Sequence, residues 1–335
     1  MTLIIAILAF NAIVFLHEGG HFLAARLGGI KVVEFALGMG PKIIGRKFGD
    51  TMYSLRAFPI GGFCLMLGED EEKGDPGAFN NRPITSRIAS VISGPLANLL
   101  LAVMIYSLTI AAVDAPIIGQ VTKGMPAEKA GIVAGDRVVD INDVIVNNWQ
   151  EMKPEIAKHE GENITITLEN RGVQRDVQLT PVKNPSINDV VIGVAQQVKI
   201  TGFSLTKGIE NTTTVTKLML NFLGQLVMGK ADGGEVSGPV SIFVYMNDAA
   251  KSGLVSVLSI SAIISLNLAI FNLLPIPALD GGRLLFLFVE LIRRKPVPAE
   301  KEGMVHFVGL VALMGLSLFL VYRDIIKFNL INIFR

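Results

Sequence analysis

Four long apolar stretches dominate the pattern of hydrophobic and polar positions along the chain. They cover about residues 2–25, 88–113, 254–282 and 304–322. A helix of about 20 apolar residues spans the hydrocarbon core of a bilayer, so each stretch is long enough to cross a membrane. The first stretch has no basic leader and no small-residue cleavage site, so it predicts a membrane span rather than a removed signal peptide.

The segment between the first two spans has a different pattern. Residues 31–67 alternate apolar and polar side chains and are interrupted by glycines, which predicts short strands and turns. Extended backbone is tolerated at membrane depth only where it lines a protein cavity, so we expect a re-entrant, membrane-associated β segment. The acidic run Glu69–Glu72 then predicts a solvated loop over residues 68–87.

A soluble composition returns in residues 115–184. The run from Gly124 to Asp143 resembles the core of a PDZ domain, a fold that binds extended peptides by adding a strand to its sheet. Trp149–Lys158 is the expected helix beside the peptide groove. Asp143 stands where PDZ sequences usually have glycine, and aspartate also tolerates the left-handed conformation expected there.

Basic residues set the expected orientation. They cluster between the first two spans and in the loop 283–303, and the positive-inside rule places both segments in the cytoplasm. We therefore expect a polytopic α-helical membrane protein with four transmembrane helices, N-out and C-out, a re-entrant β segment and an inserted extracytoplasmic PDZ domain of the α+β class. Residues 200–253 are expected to form amphipathic, juxtamembrane helices. The predicted segments are 1–30, 31–67, 68–87, 88–113, 115–184, 200–253, 254–282, 283–303 and 304–335.

Composition narrows the classes of function. Half of the residues are hydrophobic, 18% are charged, and the net charge is +1. The net charge is therefore too small to give the protein an overall positive electrostatic field that would favour a nucleic-acid partner. Cys64 is the only cysteine, which excludes both a disulfide within the chain and a cysteine-based zinc cluster.

The run His17-Glu18-Gly19-Gly20-His21 carries the first candidate chemistry. On a helix, positions i and i+4 lie on one face, so both imidazoles can bind one zinc ion. Glu18 lies one step round the helix and can act as the general base for the attacking water. The alternative is three polar residues with unrelated roles on a soluble helix. Inside an apolar span those groups would lack partners, so we expect a metal site.

A catalytic zinc needs a third protein ligand and an open position. Asp280 is the candidate, because it is the only acid in the apolar run that begins at Leu254. Spans one and three run in the same direction, so His21 and Asp280 both lie near the cytoplasmic ends of their spans. A helix cap at the water interface is the alternative role for Asp280. His159 and His306 are expected to be ordinary surface or interface histidines.

Two further polar runs are candidates for substrate binding. Pro275 and Pro277 remove backbone donors and break span three, so freed carbonyls and the Asn272 amide can hydrogen-bond an unwound substrate. The run from Ser93 to Asn98 is expected to start span two. Its alternative role is a tight turn and helix start, with Pro95 at the first helical position. Asn98 is a polar candidate near the site.

Together these runs resemble the site-2 protease family of intramembrane zinc metalloproteases. The matching motifs are H-E-x-x-H in span one, G-P-x-x-N in span two and N-x-x-P-x-P-x-L-D-G-G in span three. With one PDZ domain between spans two and three, the chain resembles the bacterial RseP/RasP-like branch of this family. The resemblance implies one zinc ion per chain held by His17, His21 and Asp280, with Glu18 as the catalytic base.

The resemblance also implies a substrate and a setting. It implies that the segments containing Gly38, Gly40, Gly61 and Gly62 form β structure that pairs with the substrate. Many relatives have histidine where this chain has Arg283, a position that is not a metal ligand. The expected substrates are single-span membrane proteins such as anti-sigma factors, or remnant signal peptides, after a first cut by an upstream site-1 protease. A peptide or ectodomain would occupy the PDZ groove, in a bacterial cytoplasmic membrane.

Two other functions stay open from the sequence alone. One is a non-catalytic, membrane-anchored PDZ adaptor, which the intact set of His17, Glu18, His21 and Asp280 disfavours. The other is a surface protease that cuts soluble proteins, which the depth of the motif within span one disfavours.

Overall fold

The computed structural model describes residues 2–69, 74–184, 189–230 and 237–328. The predicted acidic stretch Asp70–Glu72 therefore lies outside the described residues. The chain divides into two compact units. The first comprises Met1–Ser107, Leu205–Asn247 and Leu258–Arg335, and the second comprises Leu108–Ser204 and Asp248–Val257.

Within the described residues, nine α-helices and one 3₁₀ turn form. The helices are α1 Thr2–Leu27, α2 Ile84–Tyr106, α3 Pro126–Lys129, α4 Trp149–Ala157, α5 Leu205–Val227, α6 Pro239–Ser252, α7 Leu254–Leu273, α8 Asp280–Arg293 and α9 Ala299–Lys327, and the 3₁₀ turn is Phe79–Asn81. By length and composition, α1, α2, α7 and α9 could each cross a membrane.

Twelve strands lie in the same described residues. They are β1 Val32–Phe48, β2 Thr51–Met66, β3 Leu108–Ala112, β4 Ile118–Val121, β5 Arg137–Ile141, β6 Val144–Ile145, β7 Ile164–Asn170, β8 Val173–Leu179, β9 Val182–Asn184, β10 Asp189–Val191, β11 Val194–Gln196 and β12 Val198–Phe203. The strands pair antiparallel throughout the described residues.

The two long strands of the first unit fold back on each other. Phe35 pairs with Cys64 on one side and with Tyr53 on the other. The first half of β1 therefore lies between the two halves of β2, and the last half of β2 lies at an edge of the sheet. Gly38 has a φ of +84°, and a Cβ there would lie 2.5 Å from the carbonyl oxygen of Phe58. Glycine at this position permits the bend in β1.

The second unit has the architecture expected of a PDZ domain. Its main sheet has the strand order β6-β5-β7-β8, and β4 pairs with β11. One hydrophobic core joins buried residues of the sheet to Trp149, Met152 and Ile156 of α4. Asn142 and Asp143 have φ angles of 49° and 62° in the turn between β5 and β6. The predicted left-handed conformation at Asp143 is confirmed.

Three predicted boundaries in the apolar regions are wrong. Span two was expected over 88–113, but its helix is Ile84–Tyr106, and Leu108–Ala112 pairs with β12 as a strand. An apolar run alone does not separate strand from helix. Pro95 consequently lies inside α2 rather than in its first turn. Span three was expected to continue to 282, but α7 ends at Leu273, because the prolines that follow cannot continue a helix.

Two predicted segments also need correction. The segment 283–303, expected as a loop, contains most of α8. Its basic residues suggested solvent, while its buried Leu284 and Leu287 make it an amphipathic helix. The PDZ domain was expected to end at 184, but β11 supplies the partner of β4, so the domain continues past that residue. The segment 200–253 begins in β12 before α5 and α6 follow.

Candidate active site

Helices α1 and α2 form the base of the site. The buried residues of α1 include Ile13, His17, His21 and Ala25, which recur every four residues and form one face. A Cβ at Gly20 would lie 2.3 Å from the carbonyl oxygen of Ser93. The absence of a side chain at residue 20 therefore lets the two helices approach closely where the histidines lie.

Three candidate metal-ligand atoms converge at this crossing. Nε2 of His17 lies 3.3 Å from Nε2 of His21, and Oδ2 of Asp280 lies 3.3 Å and 3.4 Å from these two nitrogens. They form a nearly equilateral triangle. Zinc bound tetrahedrally at about 2.0–2.1 Å has ligand atoms roughly 3.3–3.4 Å apart. The donor set and its spacing therefore fit zinc.

The surroundings of the ligand atoms support the same conclusion. Nδ1 of His21 lies 2.8 Å from the carbonyl oxygen of Ser90 and donates to it, which leaves the Nε2 lone pair facing Asp280. Oδ2 of Asp280 is buried and makes no hydrogen bond within the described part of the chain. A carboxylate oxygen in that condition is costly unless a cation satisfies it.

A short turn delivers Asp280 to the site. After α7 ends, Ala278 takes a φ of +72°, and Asp280 is the first residue of α8. The backbone N–H of Ala278 donates to Nδ1 of His306 at 2.9 Å. A Cβ at Gly309 would lie 2.4 Å from Cβ of Pro277, so α9 closely supports this turn. His306 is therefore an interface histidine, as predicted.

A cavity of about 300 Å³ opens beside the three ligand atoms. It is lined by residues of α1, β2, α2, α7, α8 and adjoining turns, among them Glu18, Cys64, Glu69, Asn272 and Arg283. The backbone N–H of Cys64 donates to the carboxylate of Glu18. Burial raises the pKa of the Cys64 thiol, so it stays neutral and is a poor metal ligand.

The predicted substrate-binding residues fall in different places. Asn272 lines the cavity. A Cβ at Gly62 would lie 3.6 Å from Cγ of Glu18, so the Gly61–Gly62 backbone borders the site. Gly38 and Gly40 lie instead at the bend of β1, against Phe58, and are not among the described residues that line the cavity.

Three more predicted positions do not open into the cavity. Pro275 and Pro277 are absent from the described residues that line it. Asn98 is fully buried, with its side-chain amide against Nδ1 of His17. Arg283 does line the cavity, and it pairs with Glu69 at 3.0 Å rather than with the ligand triangle.

The sequence model of peptidase family M50 matches residues 5–316. The chain belongs to this family. A putative zinc metalloprotease of Clostridium acetobutylicum is 39% identical to this M50 peptidase, and the match covers 97% of each chain. The zinc metalloprotease RasP of Geobacillus kaustophilus is 33% identical over 98% of this chain and 99% of its own. The regulator of sigma-W protease RasP of Bacillus subtilis is 30% identical over 97% and 98%.

Sequence reasoning missed two contributions of α2 to this site. The Ser90 carbonyl orients His21, and a Cβ at Gly94 would lie 2.1 Å from Nε2 of His21. The available signal was a spacing of four, since Ser90, Gly94 and Asn98 form one stripe of small or polar residues on an otherwise apolar helix.

Proposed function

We propose that this M50 peptidase is a zinc-dependent intramembrane endopeptidase that cleaves single-span membrane proteins. The observation that carries the proposal is the ligand triangle of His17, His21 and Asp280, with Glu18 beside it. The two histidines belong to a helix long and apolar enough to cross a membrane. Ionisable groups in such a helix are costly and mark functional sites.

Each residue has a distinct role in the proposed reaction. His17, His21 and Asp280 hold one zinc ion per chain, which when bound polarises the scissile carbonyl and increases the acidity of water. Glu18 takes a proton from the attacking water as the C–O bond forms. The same carboxyl group then gives a proton to the leaving nitrogen as the C–N bond breaks. The products are a carboxylate and an amine.

The edge half of β2 offers a place for the substrate. Phe63, Cys64 and Met66 of this edge line the cavity next to Glu18. An extended peptide can add to an open sheet edge through main-chain hydrogen bonds, and hydrolysis requires an extended rather than a helical peptide bond. We assign the Gly61–Gly62 backbone and the Asn272 amide to this step. The other predicted substrate-binding residues would affect the substrate only by shaping the backbone around the site. They are Gly38, Gly40, Pro275 and Pro277.

Substrates and orientation follow by analogy and by charge. The Bacillus subtilis relative is named as a regulator of sigma-W protease, so we propose substrates of the anti-sigma-factor type or remnant signal peptides, cut first by a site-1 protease. Basic residues between the first two spans and after the third favour a cytoplasmic location for both segments. The PDZ domain would then lie outside a bacterial cell membrane and receive a peptide or ectodomain.

Replacing Glu18 with glutamine should abolish cleavage and leave zinc bound. Glutamine keeps the shape of the side chain but cannot take the proton, and general bases contribute roughly 10²- to 10⁴-fold to rate. Asp280→Ala should lose both zinc and cleavage. The measurements are metal content by atomic spectrometry, and cleavage of a single-span reporter by the purified full chain in liposomes. His159→Ala is the matched control, because His159 lies in the second unit, where it pairs with Glu155 and Glu162.

Unchanged cleavage by Glu18→Gln would contradict the proposed mechanism. Zinc binding without cleavage of any membrane-embedded reporter by the wild type would instead favour the adaptor role. Cleavage of soluble peptides only would favour the surface protease.

The Asp143→Cys variant should react with a membrane-impermeant maleimide that is added outside intact cells. Asp143 is exposed in the β5–β6 turn, and the Cys64→Ala background removes the only native thiol. Lys295→Cys, between α8 and α9, should react only after the membrane is permeabilised. The reverse pattern would overturn the proposed orientation and leave the chemistry of the site untouched.

A further inference from the structure

Asn98 lies behind the metal-ligand triangle rather than in the substrate cavity. It is fully buried on α2, and its side-chain amide contacts Nδ1 of His17, with Nδ2 at 3.2 Å. Its backbone carbonyl oxygen accepts a hydrogen bond from the buried Ser265 hydroxyl at 2.8 Å. The residue is therefore held between α1 and α7.

Zinc ligation through Nε2 fixes the proton of each imidazole. A neutral imidazole carries one N–H, so a ring that binds metal at Nε2 has its hydrogen on Nδ1 and must donate it. His21 donates this hydrogen to the Ser90 carbonyl. His17 needs an acceptor in the same position, and Asn98 is the residue that faces its Nδ1.

The acceptor that Asn98 can offer is Oδ1. This oxygen is buried and has no hydrogen-bond partner within the described parts of the chain. A half-turn of the amide exchanges Oδ1 and Nδ2 within nearly the same space. That orientation brings Oδ1 to Nδ1–H of His17 and pairs an oxygen that otherwise stays unsatisfied.

We infer that Asn98 is a positioning residue that fixes the metal-binding tautomer and ring orientation of His17 through Oδ1. The inference rests on the proposed zinc site and extends it. Helix α2 then orients both imidazoles, with a backbone carbonyl at residue 90 for His21 and a side-chain carbonyl two turns later for His17. Asn272, by contrast, is the asparagine that lines the substrate cavity.

Zinc affinity of the purified full chain tests the inference directly. Asn98→Leu keeps the volume and removes the acceptor, and loss of such a partner weakens metal binding by roughly 10- to 100-fold. Asn98→Asp keeps an acceptor oxygen, so its affinity should stay within a few-fold of wild type. Asn272→Leu makes the same chemical change within the cavity lining and should leave zinc affinity unchanged. Affinities are measured by competition with a chelator, and the visible spectrum of bound Co²⁺ reports the ligand geometry.

Two results would overturn the inference. One is wild-type zinc affinity in Asn98→Leu, and the other is an Asn98→Asp affinity as low as that of Asn98→Leu. Melting temperatures of the zinc-free variants separate misfolding from loss of orientation. If the wild type binds zinc tightly but cleaves no membrane reporter, the proposed function is refuted. The zinc affinities of the wild type, Asn98→Asp and Asn98→Leu can still be compared in that case. A wild type that binds no zinc would refute both.

Discussion

Gly94→Ala should empty the metal site, although alanine is the better helix former. A Cβ at residue 94 would lie 2.1 Å from Nε2 of His21 and 2.5 Å from Cε1. Nε2 is the atom that completes the ligand triangle, so the imidazole must leave its position. A metal ligand is then lost, although the substitution itself favours the helix by about 1 kcal/mol.

We expect zinc affinity to fall by more than the roughly 100-fold that loss of one orienting hydrogen bond can cost. Chelator competition on the purified protein measures the affinity, and reporter cleavage should fall with it. Gly19→Ala is the matched control, because nothing lies within 4 Å of a Cβ at residue 19. Equal zinc affinities of the two variants would show that the gap at Gly94 does not position His21.

The meeting of His17, His21 and Asp280 was predictable from sequence because the constraints on these residues are local or topological. The i, i+4 spacing places His17 and His21 on one face of any helix. The direction of the spans brings the ends of the first and third together, which led to Asp280. Neither inference requires knowledge of how α1 and α2 cross.

The residues that hold the ligands were not predictable in the same way. The roles of Ser90, Gly94 and Asn98 depend on the rotation and depth of α2 against α1. The stripe of Ser90, Gly94 and Asn98 indicates which face of α2 turns inward, but the apolar pattern does not set the depth of the helix.

The position of α8 shows a second limit. Arg293 and nearby basic residues predicted a loop, because the positive-inside rule counts charge and does not report structure. The buried face of α8 and its pairing with α2 became visible only in three dimensions. This pairing is the basis of the second large expected effect.

Arg87→Met should destabilise the first unit by about 3–5 kcal/mol, the cost of leaving a buried charge unpaired. The Arg87 guanidinium of α2 makes two hydrogen bonds to the Glu290 carboxylate of α8. Their side chains are only 8% and 17% exposed. Arg87 also lies over the buried ring of Phe79, 6.0 Å from its centroid. Removing the cation therefore leaves the largely buried Glu290 carboxylate without its partner.

The double variant Arg87→Met/Glu290→Met should recover most of that loss, because two apolar side chains can fill the space of a buried ion pair. The free energies of unfolding of the wild type, both single variants and the double variant, measured in detergent, complete this double-mutant cycle. The control is Lys251→Met, which breaks an exposed ion pair with Asp248 and should cost less than about 1 kcal/mol. Glu290 lies ten residues after Asp280 on α8, about 15 Å along the helix. The pair therefore anchors the helix that presents the third ligand. Zinc affinity should fall in the single variant and return in the double, whereas independent, additive effects would show that the ion pair does not position α8.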